Sequence, residues 1–396
     1  MHIRRCATLL IEPRETIGFD LGALLDGETG VRTTLGWVAL AGHVDDEIPL
    51  DAAEVALLGE LSPNAWIPFE DLAKKHPREA LETLLAKGLA VAQDSDDANL
   101  RDHARRDEAL RATHWRDLAA VMHRHTRWKD VDTEDAERRF SEASEQTFLE
   151  RLGPSPPPVH ERVAAKQRIP LQRLESSTLE ELSDRRVTCR NYDPSRAVPR
   201  ADFSALMYRA FGARVLSDYA PGVQLMKKGV PSAGGLHATE AYALVQNVEG
   251  VMPGLYHYHP VAHALEPLRS LEPGAATALA KRFVAAQAYY ADAHVVIALV
   301  ARFPRNFWKY RNHAKAYRAV ILDAGHLSQM LYLAATELNL GAFITAAVNE
   351  VEIEQAFGLE PMEEGPLAVC GFGVRAAKKV TVEFDPAGKV WAASLS

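Results

Sequence analysis

Four short stretches of the chain place side chains that bind or move charge at close spacing. In the first, Arg185-Arg-Val-Thr-Cys-Arg-Asn-Tyr192, an extended backbone would turn Arg186, Thr188 and Arg190 to one side. Guanidinium forks beside a hydroxyl match a phosphate or an electron-rich carbonyl through paired hydrogen bonds. The second, Val230-Pro-Ser-Ala-Gly-Gly-Leu-His237, sets Ser232 beside Gly234 and Gly235, where a backbone without Cβ atoms approaches a flat or anionic ligand closely. The third, Phe307-Trp-Lys-Tyr310, surrounds Lys309 with rings, a setting that would desolvate the ammonium and fit Lys309 and Tyr310 for acid or base work. The fourth, Gly371-Phe-Gly-Val-Arg375, ends a strand-like run on the cation of Arg375. Singly, each also reads as plain structure: a solvated helix end, a turn, an exposed lysine. Their chemistry is argued from the set.

Other chemistries find less support. His257 and His259 would share a strand face, with His263 close behind, but the stretch reads more simply as a β-hairpin turning near Pro260, so no metal is expected. There is no GxSxG, Cys189 has no evident base, and neither a GxGxxG nor a phosphate-binding P-loop occurs.

The element that must position these groups spans residues 309–344 and reads as one long helix. Ala316, Val320, Ala324, Leu327, Leu331, Ala335 and Leu338 recur at spacings of three and four. The opposite side, Ile321, Gly325, Ser328, Tyr332 and Thr336, is uncharged as well, so burial on all sides is expected, under a sheet, a second subunit or both. Asn312 is the expected N-cap, and Asn339-Leu-Gly341 the stop, with the glycine taking the left-handed turn.

Ahead of this lie strands at residues 5–12 and 31–41 and helices at 51–61, 69–75 and 77–87, a winged-helix-like order occupying residues 1–97. Ten acidic side chains against four basic ones over residues 51–97 would repel phosphate, so nucleic acid is not expected there and a peptide or a purely structural role is. Residues 98–160 read as a charged helical arm, with Trp115, Leu118, Val121 and Met122 as its apolar stripe, followed by the linker Pro154-Ser-Pro-Pro-Pro158. Residues 161–396 form the main domain. Helices are expected at 178–186, 200–211 and 350–357, and strands at 240–247, 254–259, 263–267, 293–302, 367–374 and 379–384. The strands and helices do not repeat as βαβ units, which indicates an α+β fold. Three scattered cysteines and the absence of a long apolar run point to a reducing cytoplasm and to no membrane span.

In order, RRVTCRNY, PSAGGLHATEAY, GLYHYHPVAHAL, WKYRNHAKAYRAVILDAGHLSQMLYLAATELNLG and VCGFG resemble the nitroreductase-type FMN enzymes. Within them the pattern is most similar to the azoline dehydrogenases that form thiazoles and oxazoles in ribosomal peptides, and it covers about residues 165–385. The resemblance implies a nitroreductase-like fold, a homodimer, and FMN bound by Arg186, Thr188, Arg190, Ser232, Gly234, Gly235, Gln329 and Arg375. Thr188 replaces the family's Ser and keeps its hydroxyl; Gln329 carries over from a Gln-Asn pair, whereas Met330 does not. Lys309 and Tyr310 match the pair that removes the substrate proton. The implied partners are a peptide substrate and a cyclodehydratase, with the amino-terminal module gripping a leader peptide along a strand edge. A nicotinamide-dependent nitro or quinone reductase and an inactive peptide-binding partner are the alternatives.

Overall fold

The computed structural model describes residues 1–27, 29–134, 150 and 152–391. Its first part holds strands β1 (His2–Arg5), β2 (Leu9–Phe19), β3 (Val31–Ala41), β4 (Ile48–Leu50), β5 (Ile67–Pro68) and β6 (Ala90–Gln93). β1 lies between β5 and β6, and β2, β3 and β4 form a second antiparallel sheet. Helices Ala52–Glu60, Phe69–Ala73 and Arg78–Ala86 fall where the apolar spacing places them. The first is fixed by a capping box between Asp51 and Glu54, and the third buries Leu81, Leu84 and Leu85 before Gly88 turns left-handed. Leu57, Leu58, Leu81 and Leu84 join Ile3, Ala39 and Val91 in one apolar core.

The second part is built on a six-stranded antiparallel sheet in the order β11-β10-β9-β12-β14-β13, comprising β9 (Thr239–Val245), β10 (Gly254–His259), β11 (Ala264–Ser270), β12 (Val295–Arg302), β13 (Gly341–Thr345) and β14 (Glu364–Gly373). β12 explains its own continuous apolar sequence. Val295, Ile297 and Leu299 face a core with helix Arg200–Phe211 and the long helix, while Val296, Ala298 and Val300 face one with helices Pro273–Phe283 and Glu350–Phe357. The expected α+β layers and most element positions are present. The hairpin of β7 (Ala213–Ala220) and β8 (Val223–Lys228) was not foreseen; its Val215, Leu216 and Tyr219 are exposed, so no burial period announces it. Residues 379–384 form no ladder. Asn191 accepts from the Val380 and Thr381 amides and donates to the Thr381 carbonyl, and a turn at Asp385 follows.

The long helix is shorter than its apolar pattern suggests, running Ala316–Glu337, about 33 Å at 1.5 Å per residue. Phe303–Phe307 is a separate helix, and residues 308–315 link the two. Asn312 is not a cap: it takes φ 51° and donates its amide to the His114 carbonyl, while Lys315 stands at the N-cap without a side-chain bond. At the far end the left-handed residue is Asn339, at φ 56°, not Gly341. Gly341 begins β13 and leaves room for Cys189, whose amide donates to Ala342 O at 2.8 Å. All-round burial also fails in the single chain. Ile321 is 44% and Leu322 64% exposed, and Gly325, His326 and Gln329 share that bare side.

Helices Ala98–Ala112 and Asp117–His125 lie between the two parts; residues 135–149 and 151 of the expected arm fall outside the described residues. Of the expected stripe, Trp115 and Val121 are buried, whereas Leu118 and Met122 are exposed. The Trp115 ring, 4% exposed, packs 4.5 Å from Phe303 and 4.7 Å from Phe307, stacks on His123 at 5.4 Å, and donates its Nε1 to Met362 O at 2.9 Å. His123 bridges the same elements, with Pro361 O at Nε2 and Tyr317 Oη at Nδ1, and burial pushes its pKa down to about 3. Trp115→Ala should therefore lower the unfolding free energy by about 3 to 5 kcal/mol, the usual loss for a truncated core tryptophan, measurable by urea titration.

Candidate functional site

Two clusters form along the long helix. At its amino-terminal half Asp323, 7% exposed, accepts from Ser232 Oγ at 2.5 Å and from the Ala233 amide at 3.1 Å. Ser232 Oγ in turn accepts the His237 amide at 2.9 Å. These bonds stabilise a tight turn in which Gly234, Gly235 and His237 take φ of 60°, 68° and 46°. A Cβ on Gly234 would sit 2.6 Å from Tyr310 Oη and 2.7 Å from Lys309 Nζ, so the glycine turn and the Lys-Tyr pair are in direct contact. Around Gly235 the same position is open. Lys309 is exposed, not desolvated among the rings as its sequence neighbours suggest, and it sits on the link ahead of the helix.

The second cluster lies nine residues further along the helix, at Tyr332. Arg186, Thr188 and Arg190 are half-buried while the intervening Val187 and Cys189 are buried, so the alternation inferred from sequence holds. A parallel bridge from Thr188 to Ala342 produces it. The Arg186 guanidinium lies 5.2 Å over the Tyr332 ring, and the Thr188 and Tyr332 hydroxyls are 2.9 Å apart. Arg375 reaches the same strand, but its Nη1 is paired with Glu383 at 2.9 Å, and Glu383 Oε1 also accepts the Arg190 amide at 2.6 Å. Burial alone would push the Glu383 pKa up; the Arg190, Trp391 and Asn191 donors and the Arg375 charge hold it below the usual carboxylate range. Glycines 371 and 373 prove to be packing positions, making room for the Phe343 and His294 rings.

Nine residues of helix separate Asp323 from Tyr332 by about 14 Å of rise and two and a half turns, so the two clusters leave the helix on opposite sides. Gln329 lies between them on the exposed side. Asp323, Tyr332 and Glu383 were not expected from sequence to be site residues. Asp323 could have been, because it is the one carboxylate between Ala316 and Thr336, and a lone buried charge requires a partner. The histidine stretch forms the β10–β11 hairpin. His257 contacts Glu266 at 2.6 Å and Glu240 at 3.0 Å, and among the described residues no three ligand-type side chains are placed to hold a metal. Among the described residues, too, no helix is long and apolar enough to cross a membrane.

Residues 184–374 match the model of the nitroreductase family. A Methanocaldococcus jannaschii protein named as a nitroreductase is 30% identical over 205 residues, spanning 52% of this chain and 95% of that one. The chain belongs to the nitroreductase family and is an oxidoreductase of that family, with an additional α/β module at its amino terminus. Solved structures with weaker likeness include a chain of the Escherichia coli microcin synthetase McbBCD complex with truncated pro-MccB17 bound, at 21% identity, TM-score 0.43, 63% of this chain and 88% of that chain. Another is a Desulfovibrio desulfuricans nitroreductase in complex with FMN, at 13% identity, TM-score 0.35, 52% of this chain and 91% of that chain.

Gly234→Ala separates site geometry from fold. A left-handed alanine costs roughly 1 to 2 kcal/mol, and the atoms it would strike are the ends of flexible side chains, which swing away. The expected result is a modest loss of stability in thermal melts together with displacement of Lys309 and Tyr310, read as loss of turnover far beyond the loss of fold.

Proposed function

We propose that this protein is an FMN-dependent dehydrogenase that oxidises azoline rings of a ribosomal peptide to thiazoles or oxazoles. The observation that carries the reading is the contact of Lys309 and Tyr310 with the Gly234 turn, which puts an amine and a phenol beside the place where a flat ligand would lie. The residues present fit FMN. Arg186, Thr188 and Arg190 share one side for a phosphate, with Arg375 able to join if it releases Glu383. Gly234 and Gly235 open the backbone beside Ser232, and Gln329 offers an amide between the two ends. When bound, FMN supplies the two-electron oxidation, taking a hydride from one ring carbon.

The chain's own groups handle the proton. Desaturation also releases a proton from the adjacent ring carbon, and Lys309 Nζ, which lies 5.7 Å from the Tyr310 ring centroid, is the group that accepts it. A second copy packed on the bare side of the long helix would cover Ile321 and Leu322 and dry the site, which supports a homodimer. Residues 1–97 are read as a winged-helix-like peptide-binding module, 98–160 as arm and linker, and 161–396 as the FMN domain; a cyclodehydratase would supply the azoline. Exposure of Lys309 favours a second reading, a nicotinamide-dependent nitro or quinone reductase, because hydride transfer from a nicotinamide requires no such base.

Two measurements test this. The purified protein is expected to be a yellow dimer with FMN, and Arg186→Ala should weaken FMN by about ten- to a hundredfold, as expected for a charge-assisted bond of roughly 1.5 to 3 kcal/mol. Lys309→Ala should keep FMN yet lose about 10² to 10⁴ in the rate of oxidation of a heterocyclised peptide. Rapid anaerobic bleaching by NADPH in wild type and variant alike, with no response to any azoline peptide, would overturn the dehydrogenase in favour of the reductase.

A further inference from the structure

The stretch that carries Lys309 holds more cations than the reaction proposed above employs. From Phe303 to Leu322 there are five, Arg305, Lys309, Arg311, Lys315 and Arg318, and no acidic residue, in a chain whose net charge is -8. Arg305 is half-buried and the other four are exposed. Among the described residues none of the five is in an ion pair. Arg305 donates to the Leu236 and Gln224 carbonyls and Arg311 to the Trp308 carbonyl, neutral acceptors that leave the charges standing. Exposed cations of the amino-terminal part are answered locally, Lys74 by Asp71, Arg78 by Glu70, and Arg105 and Arg106 by Asp102. Backbone bonds from Tyr310 N to Asn306 O, His313 N to Tyr310 O and Ala316 N to His313 O wind the link into a compact coil, and its Lys309 touches the Gly234 turn. Local stability does not explain these cations. Lys315 and Arg318 stand at the amino-terminal end of the long helix, where the helix dipole disfavours positive charge.

We propose that this surface is a docking site for an acidic segment of the peptide substrate, whose Asp and Glu side chains pair with Arg311, Lys315 and Arg318 while the ring to be oxidised lies at Lys309 and Tyr310. The role in turnover rests on the substrate being a peptide, as proposed above, but the binding itself can be read without turnover. Nucleic acid fits less well, because beyond the patch a long polyanion would meet a chain of net charge -8. A short peptide covers the patch alone. It also brings apolar side chains to Trp308, which is 47% exposed among the cations and which a phosphate group would leave bare. Complementary charge acts on encounter and register, so its effect falls on capture of the substrate and not on the chemical step.

The test is the anisotropy of a short fluorescein-labelled peptide rich in Glu, titrated with the full chain, beside the same peptide with Gln for every Glu. The Glu peptide should bind about tenfold more tightly than the Gln peptide and lose that advantage as the salt is raised well above about 0.1 M. R311Q/K315Q/R318Q should remove most of the difference; all three side chains are exposed, so the thermal midpoint should stay. Equal binding of the two peptides, or a variant that binds the Glu peptide as wild type does, overturns the proposal. Release of the peptide by added FMN or NADPH would assign the cations to a cofactor phosphate, tighter binding of an oligothymidylate would assign them to nucleic acid, and a variant of altered oligomeric state would assign them to a second copy; each of these overturns it too. If the variant does not fold, the Glu and Gln peptides and the salt series on wild type decide. Turnover reports separately. An azoline peptide flanked by Glu should show a KM about tenfold below that of its Gln-flanked counterpart at equal kcat, and the variant should abolish the advantage. Oxidation of neither azoline peptide, with binding of the Glu peptide retained, sinks the dehydrogenase reading and leaves the acidic-peptide surface standing.

Discussion

The carboxylate of Asp323 ties the reactive region together. It is the one acidic side chain between Ala316 and Thr336, and it is buried against the Ser232 turn with 7% of its surface exposed. Its bonds to Ser232 and Ala233 fix a turn that depends on two glycines and on a left-handed His237, and that turn is what Lys309 and Tyr310 touch. Groups from residues 232–237, 309–310 and 323 are thus brought into one place through a single buried acceptor. A buried charge is costly unless satisfied, so this arrangement costs stability and returns geometry. That is the pattern expected where a fold spends its packing on a site.

The apolar layers set where Asp323 can be. β12 is buried on both faces, and the long helix can lie on only one of them, alongside helix Arg200–Phe211. Its alternate residues show how: Ala324, Leu327, Leu331 and Ala335 enter the core with Ile297 and Leu299, which leaves Asp323 near the rim toward the Ser232 turn and Tyr332 near the opposite rim toward Thr188. The amino-terminal part is keyed to the same body by Trp115, whose ring sits against Phe303 and Phe307. Those phenylalanines belong to the short helix that precedes the Lys309 link.

Periodicity made the sheet strands, the helix at Arg200–Phe211 and the inner side of the long helix legible, because burial on a core imposes a repeat on the sequence. Helix ends were less so. Asn312 and the Asn339–Gly341 stop were marked in the sequence, but not that Asn312 would take a left-handed φ on a link outside the helix, nor that Asn339 and not Gly341 would make the final turn. The pairing of Arg375 with Glu383 was hidden for another reason: residues 379–384 are held by the Asn191 side chain, and such a bond leaves no period to read. The hairpin at β7 and β8 was missed because its side chains face solvent.

The bare side of the long helix bears on what a complete site requires. Ile321 and Leu322 lie beside Asp323 in sequence, and Gln329 lies on the exposed side between the two clusters. The Ser232 turn and the Arg186 cluster leave the helix on opposite sides, and the bare side lies between them. An exposed Lys309 is hydrated, and water around its Nζ competes with a substrate for the same hydrogen bonds. Covering the apolar side would exclude water from the ligand and from Lys309 together, so the surface that stabilises an assembled pair and the environment that would make the amine useful are the same surface. On the proposed dehydrogenase reading, the dryness that proton transfer to Lys309 requires would come from what packs against Ile321 and Leu322.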